Sequence, residues 1–295
     1  MNANPAPDVH RLSFPRKRGP SVASFIRRHP TVVIGGTLLL ALIIASIAAP
    51  LLGTVDPISI NPSQRLKGTS ADHWFGTDRF GRDLYSRVIY GGRISLIVGL
   101  SVAALATVIG LAIGLVSGYL RAVDAVVMRV MDGMMAIPAI MLAIALIALS
   151  KASVLIVIIA VTLPEIPRVV RLVRGIVLTL REQPYIEAAT AIGTSVPRIM
   201  LRHLLPNALP PLIVQATYIC ASAVLIEAAL SFLGAGTPPE VPSWGNIMAE
   251  ARPYFQLKPA MVLLPGLFLA VTVLAINLVG DGLRDMLDPR LARKM

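Results

Sequence analysis

Two carboxylates sit inside long apolar runs of this sequence, Glu165 and Glu227. A charged side chain in hydrocarbon costs roughly 2.5–3.5 kcal/mol on insertion scales, so each must face a polar interior, water or a partner group. The chemistry open to them is ion coupling, a gate on a solute path, or a structural bond to a serine, backbone group or arginine of a neighbouring helix. Other reactive types are sparse. His10, His29, His73 and His203 all lie outside the apolar runs, and none has a second ligand at metal-site spacing. A Ser-His pair buried in the membrane has no histidine to use. The single cysteine, Cys220, cannot form an internal disulfide or a CxxC site and reads as a core residue. The dipeptide Gly-Lys does not occur, so no P-loop is present to cradle phosphates. The chain does not read as an enzyme by itself and binds no cofactor of its own.

The elements that position these residues are membrane helices. Of 295 residues 55% are hydrophobic and 15% charged, and the mean hydropathy is +0.74. Soluble domains rarely reach such values. A span needs about 20 apolar residues, which predicts six: 31–52, 94–117, 133–149, 152–170, 208–233 and 260–279. The third and fourth, parted only by Ser150 and Lys151, form a hairpin; Pro164, Glu165 and Pro167 interrupt the fourth. The first run is too long for the apolar region of a secretory signal and reads as a retained helix. Net charge is +11, but the basic residues flank the apolar runs instead of forming one face, which excludes nucleic acid as the partner. With six spans, eighteen basic residues fall on the side of the two termini and nine on the other. The positive-inside rule then makes both termini cytoplasmic. In the first outer segment, Phe80, Leu84 and Val88 recur every fourth residue among arginines, predicting an amphipathic helix in the outer interface. The second outer segment is proline-rich, with a short helix around 246–251. Trp74 and Trp244 are expected at the outer interface as anchors.

The cytoplasmic segment 171–206 is the most informative. Pro184 suits the first turn of a helix, residues 187–192 are mostly good helix formers, and Gly193 can take the left-handed conformation that ends it. Thr194 or Ser195 can cap a second helix with Pro197 in its first turn. The product is an elbow of two short helices, a knob for a partner protein or an ordinary interspan loop.

The order Glu187-Ala188-Ala189, three residues, Gly193, nine residues, His203, one residue, Leu205-Pro206 resembles the EAA loop of ABC importer permeases. His203 stands where the general pattern has isoleucine, but Arg202-His203 and Leu205-Pro206-Asn207 match the version found in peptide permeases. Three further segments resemble the DppC/OppC group of dipeptide and oligopeptide permeases. They are Phe75-Gly76-Thr77-Asp78 with Gly81-Arg82-Asp83 and Ser86-Arg87; Ser231-Phe232-Leu233-Gly234 with Pro242-Ser243-Trp244-Gly245; and Asn277-Leu278, Gly280-Asp281-Gly282-Leu283-Arg284-Asp285 and Leu287-Asp288-Pro289-Arg290.

This resemblance implies an all-α type I ABC importer permease with a cytoplasmic coupling helix. Residues 1–30 are a cytoplasmic tail, 31–52 the first span, 53–93 an extracytoplasmic segment, 94–283 a five-helix core and 284–295 a second tail. It implies a bacterial inner-membrane chain that pairs with a second permease, docks on two ABC ATPases carrying ATP and Mg, and receives di- or oligopeptides from an extracytoplasmic binding protein. Glu187, Ala188, Ala189, Gly193, Leu205 and Pro206 become the coupling residues. The alternatives are nickel or another small solute in the same family, or an ion-coupled transporter using Glu227 and Glu165. Glu227 is the candidate path or gate residue. Asp281 with Arg284, and Asp132, read as structural pairs. Gly110, Gly114 and Gly118, at four-residue spacing, read as a helix-packing face.

Overall fold

The computed structural model describes residues 26, 28–150 and 153–287. Among these the chain is helical, and no strand forms beyond an isolated bridge between Thr77 and Asp83. The all-α membrane architecture expected from the sequence is the one found. Helix α1 is Pro30–Ile47, α2 Leu84–Tyr119, α3 Arg121–Met135, α4 Ala139–Ala148 and α5 Val154–Arg181. The short helix α6, Pro184–Ala191, precedes the long α7, Val196–Phe232, which spans 37 residues. Helix α8 is Trp244–Ala251 and α9 is Ala260–Leu287.

The glycine ladder of α2 sets the direction of the bundle. Methyl groups built on Gly110, Gly114 and Gly118 would lie 2.5, 2.7 and 2.7 Å from the Cβ atoms of Val169, Val173 and Val177. Only glycine lets the two backbones come this close, and a small residue every fourth position is how membrane helices achieve it. Both numberings rise together, so α2 and α5 run parallel. The chain between them must therefore cross back, and α3 with α4 makes that return. The pairs α2–α7 and α1–α9 are antiparallel. Gly99 of α2 faces Val224 and Cys220 of α7, while Gly35 of α1 faces Ala275 and Leu278 of α9. The start of α1, the end of α9 and the α6 elbow thus share one end of the bundle.

The expected third span at 133–149 is not a continuous helix. Helices α3 and α4 meet at 84°, because Ile137 before Pro138 is biased out of the helical region. Helix α4, at 10 residues, is about 15 Å long and cannot cross a hydrocarbon core of about 30 Å alone. Four helices (α1, α2, α7 and α9) are long and apolar enough to cross, and the bent pair brings the number to five. Helix α5 has 28 residues, about 42 Å, but Glu165, Arg168 and Arg171 interrupt its apolar surface. The expected hairpin turn falls partly on residues 151 and 152, outside the described residues.

The end opposite the elbow holds the segments 53–83 and 234–259. The separate interfacial helix expected around Phe80, Leu84 and Val88 does not form. Helix α2 begins at Leu84, capped by the Asp83 carboxylate, which accepts from the Ser86 backbone N–H at 2.7 Å. The arginines beside it turn inward. Arg82 and Arg87 are buried; Arg82 Nε lies 2.6 Å from Asp78, Arg87 Nη2 lies 3.2 Å from Glu250 of α8, and Arg82 also bonds Glu250. Trp244 is not an interfacial anchor. It is 1% exposed and donates its indole N–H to the Val88 carbonyl at 2.9 Å. Trp74 is exposed.

Candidate coupling elbow

The elbow forms as its residue types dictate. Pro184 opens α6, and Gly193 closes it at φ +82°. The Gly193 N–H donates to the Thr190 carbonyl and the Thr194 N–H to the Ala189 carbonyl, each at 3.0 Å. This pair of bonds is the Schellman stop, which requires the left-handed backbone that glycine adopts without penalty. A Cβ on Gly193 would meet nothing within 4 Å, so backbone conformation alone selects glycine here. Val196 then starts α7, with Ser195 preceding it in an extended conformation.

A π-helical turn at Met200–Leu204 connects this tip to the long part of α7. Such turns insert one extra residue into the helical repeat and rotate the part of the helix beyond them. His203 lies in it, and its ring stands 6.2 Å from that of Tyr185 on α6. The residue that departs from the general loop pattern thus packs the elbow's two arms together. The Asn207 amide donates to the His203 carbonyl at 2.7 Å, satisfying an oxygen near the turn.

The elbow has an inner and an outer face. Ile186, Ala189, Ile199 and Leu204 are buried against the bundle. Glu187, Ala188, Gly193 and Pro206 are exposed, and Leu205 is half-buried. Ile192 at the tip is 82% exposed and Leu201 is 64% exposed. Among the described residues the Glu187 carboxylate has no hydrogen bond or ion pair. It lines a cleft of about 580 Å³ with Tyr119, Arg121 and Arg181. The six loop residues picked from the sequence therefore divide: Ala189 roots the elbow, while Glu187, Ala188, Gly193 and Pro206 face outward. An exposed apolar tip beside an unpaired carboxylate and two arginines can seat in a partner's groove. The sequence reading missed Ile192 and Leu201, whose type is ordinary until their exposure is known.

Glu227 lies far from this elbow. It is fully buried between α2 and α7, accepting from Ser95 Oγ at 3.2 Å and from Ser231 Oγ at 2.9 Å. Ser231 continues through Thr237 to Ser243 and Asn246 at the start of α8. Its carboxylate is thus held by a serine of its own helix and by one of α2. Asp281 accepts from Tyr218 Oη at 2.6 Å, which makes Tyr218 rather than Arg284 its partner. Asp132 pairs with Arg171 at 2.5 Å and Asp124 with Arg174 at 2.5 Å, joining α3 to α5. The C-terminal motif residues 288–290 lie outside the described residues.

A parallel α2–α5 pair, a return crossing by a bent helix, and an elbow made of α6 and the first turns of α7 define a helical membrane fold. The chain matches the family described as "Binding-protein-dependent transport system inner membrane component" over residues 106–293, and it belongs to that family. It is 52% identical over 95% of its length and 96% of the relative to the "Probable peptide ABC transporter permease protein y4tQ" of Sinorhizobium fredii. It is 42% identical to the "Dipeptide transport system permease protein DppC" of Alkalihalophilus pseudofirmus, over 90% of this chain and 88% of that one. The "Di/tripeptide transport system permease protein DppC" of Pseudomonas aeruginosa is 40% identical, over 89% of each. Among solved structures, a chain of the inward-facing MetNI methionine ABC transporter superposes with TM-score 0.54 at 23% identity, over 68% of this chain and 96% of that one. That likeness is of fold.

Proposed function

We propose that this chain is one of two permease subunits of an ATP-driven importer for di- and oligopeptides in a bacterial cytoplasmic membrane. A second permease, two ABC ATPases carrying ATP and Mg, and an extracytoplasmic binding protein complete the machine. The reading rests on the elbow: an exposed apolar tip with an unpaired Glu187, built on the Glu-Ala-Ala loop. The names of the relatives support peptide as the cargo over nickel or another small solute. The excess of basic residues on the elbow's side supports a cytoplasmic elbow and cytoplasmic termini.

In this reading residues 1–30 and 284–295 are cytoplasmic tails, 53–93 lies outside, and the core of 94–283 carries the coupling loop at 171–206. ATP-driven closure of the ATPases moves the elbow through Glu187, Ala188, Gly193 and Pro206. Ala189 and Leu205 pass that movement to α5 and α7. The bundle then exchanges between states open to either side, each stabilised by a different partner contact. Glu227 acts at the outer gate, where its bonds to Ser95 and Ser231 hold α2 to α7.

The test is co-purification of the tagged chain from its native membrane in mild detergent, with mass spectrometry of its companions. An ATPase and a second permease should come with it. Both ATPase binding and uptake should be lost in Gly193→Pro, which cannot take φ +82°, while membrane insertion persists. Recovery of the wild-type chain alone would turn the reading to a self-sufficient, ion-driven carrier.

A further inference from the structure

In the second half of helix α5 the exposed residues Arg168, Arg171, Gly175 and Thr179 recur at three- and four-residue spacing and form one exposed stripe. Leu155 and Ile159, exposed on its first turns, lie on the opposite face. Arg168 is 52% exposed, while its partner Glu165 is 1% exposed. The depth of this pair follows from the glycine ladder. Val169 sits against Gly110, which is seven residues short of Ser117, the end of the apolar run of α2. Arg168 therefore lies about 10 Å inside the hydrocarbon boundary at 1.5 Å per residue.

An arginine at that depth on a lipid-facing surface would extend towards the nearer boundary. Arg168 does the opposite. Its Nη1 bonds both oxygens of Glu165 at 3.2 Å, one turn deeper into the membrane. Its Nε and Nη2 have no partner among the described residues. A half-exposed guanidinium held at that depth faces water or protein, because lipid contact carries an insertion cost of roughly 2.5–3.5 kcal/mol.

We propose that the exposed stripe of α5 walls the solute path and that Arg168 contacts the terminal carboxylate of the transported peptide there. The inference rests on the peptide-importer reading. A peptide of any sequence carries one terminal carboxylate, so a single cation suits a carrier of varied cargo. The free Nε and Nη2 donors form the planar fork that a carboxylate fits. Glu165 already neutralises the guanidinium, which keeps the contact weak enough for release, as conduction requires. Arg171 is less available, since Asp132 occupies it at 2.5 Å.

The experiment uses the complete importer in proteoliposomes, with dipeptide uptake and ATP hydrolysis measured together. The wild-type complex hydrolysing ATP in response to the loaded binding protein tests the importer reading separately. Arg168→Gln should lower peptide moved per ATP by roughly tenfold, the scale of one lost charged hydrogen bond, and Arg168→Lys, which keeps the charge but loses the planar fork, should fall between that variant and the wild type. Arg168→Cys, made in a Cys220→Ala background, should react with the impermeant anion 2-sulfonatoethyl methanethiosulfonate, and saturating peptide should slow that reaction. An unchanged transport ratio in Arg168→Gln overturns the assignment. So does a thiol that stays unreactive in every nucleotide state, or a second permease lost from Arg168→Gln with that thiol shielded, which would place Arg168 in the permease–permease contact.

Discussion

The two ends of this bundle are built by opposite rules. At the outer end, charge is turned inward and paired within the chain, although Arg87 Nε and Nη1 have no hydrogen-bond partner among the described residues. Asp78, Arg82, Arg87 and Glu250 form one buried ion-pair group, and Trp244 bonds the backbone of α2. At the elbow, charge and apolar surface are turned outward and left open: Glu187 is unpaired and Ile192 is 82% exposed. The outer segments bond to themselves, while the elbow leaves such groups exposed. Buried charge ties α8 to the start of α2, so the outer cap moves with those helices. The elbow is rooted through Ile186, Ala189, Ile199 and Leu204, and its tip at Ile192 stands clear of the bundle.

The comparison breaks first at Glu250. Its carboxylate serves both Arg82 and Arg87, and Arg87 is 1% exposed. Glu250→Ala leaves those guanidinium groups buried without it, and losing one member of a buried pair costs about 3–5 kcal/mol. Thermal unfolding in detergent should show a large drop in Tm. A Tm equal to that of the wild type would mean the outer end is held by its apolar contacts alone.

A smaller effect is expected in the middle of the bundle, which belongs to neither end. Gly110→Val would put its Cβ 2.5 Å from that of Val169, and overpacking of this kind costs about 1–3 kcal/mol. The double variant Gly110→Val with Val169→Gly restores the volume and should recover much of the loss. Additive losses in a double-mutant cycle would show that the two positions do not meet.

The parts of this architecture that repeat along the chain were legible in the sequence. The apolar runs gave α1, α2, α7 and α9 as spans, and the four-residue glycine spacing gave a close-packing face on α2. Pro184 and Gly193 gave the ends of α6, since each acts on its own backbone. The features that escaped depend on contacts distant in sequence. The outer arginines read as interfacial because their acceptor, Glu250, lies 163 and 168 positions away. Trp244 read as a membrane anchor because its indole bonds Val88, 156 positions earlier. The third span read as continuous because hydropathy ignores the bend at Ile137 and Pro138. Of the site, the loop's order was visible, but not which of its residues face outward. Arg168 was counted among the loop charges, since only the register of α5 against α2 fixes its depth.

The smallest effect on folding sharpens the comparison most. Ile192 touches little of its own chain, so Ile192→Ser should change stability by no more than about 0.5 kcal/mol, as for surface positions generally. Its apolar side chain stands next to the Gly193 stop, where a partner's groove would bury it. Burying such a side chain is worth roughly 1.5–3 kcal/mol, and about 1.4 kcal/mol is tenfold in affinity. Ile192→Ser should therefore insert, fold and melt like the wild type while retaining about tenfold less ATPase through a detergent wash. Glu250→Ala should do the reverse in the molecules that remain folded, losing stability but keeping the ATPase. If Ile192→Ser holds the ATPase at wild-type strength, the apolar tip is not what the partner grips, and the Glu187 cleft with Arg121 and Arg181 becomes the contact to test.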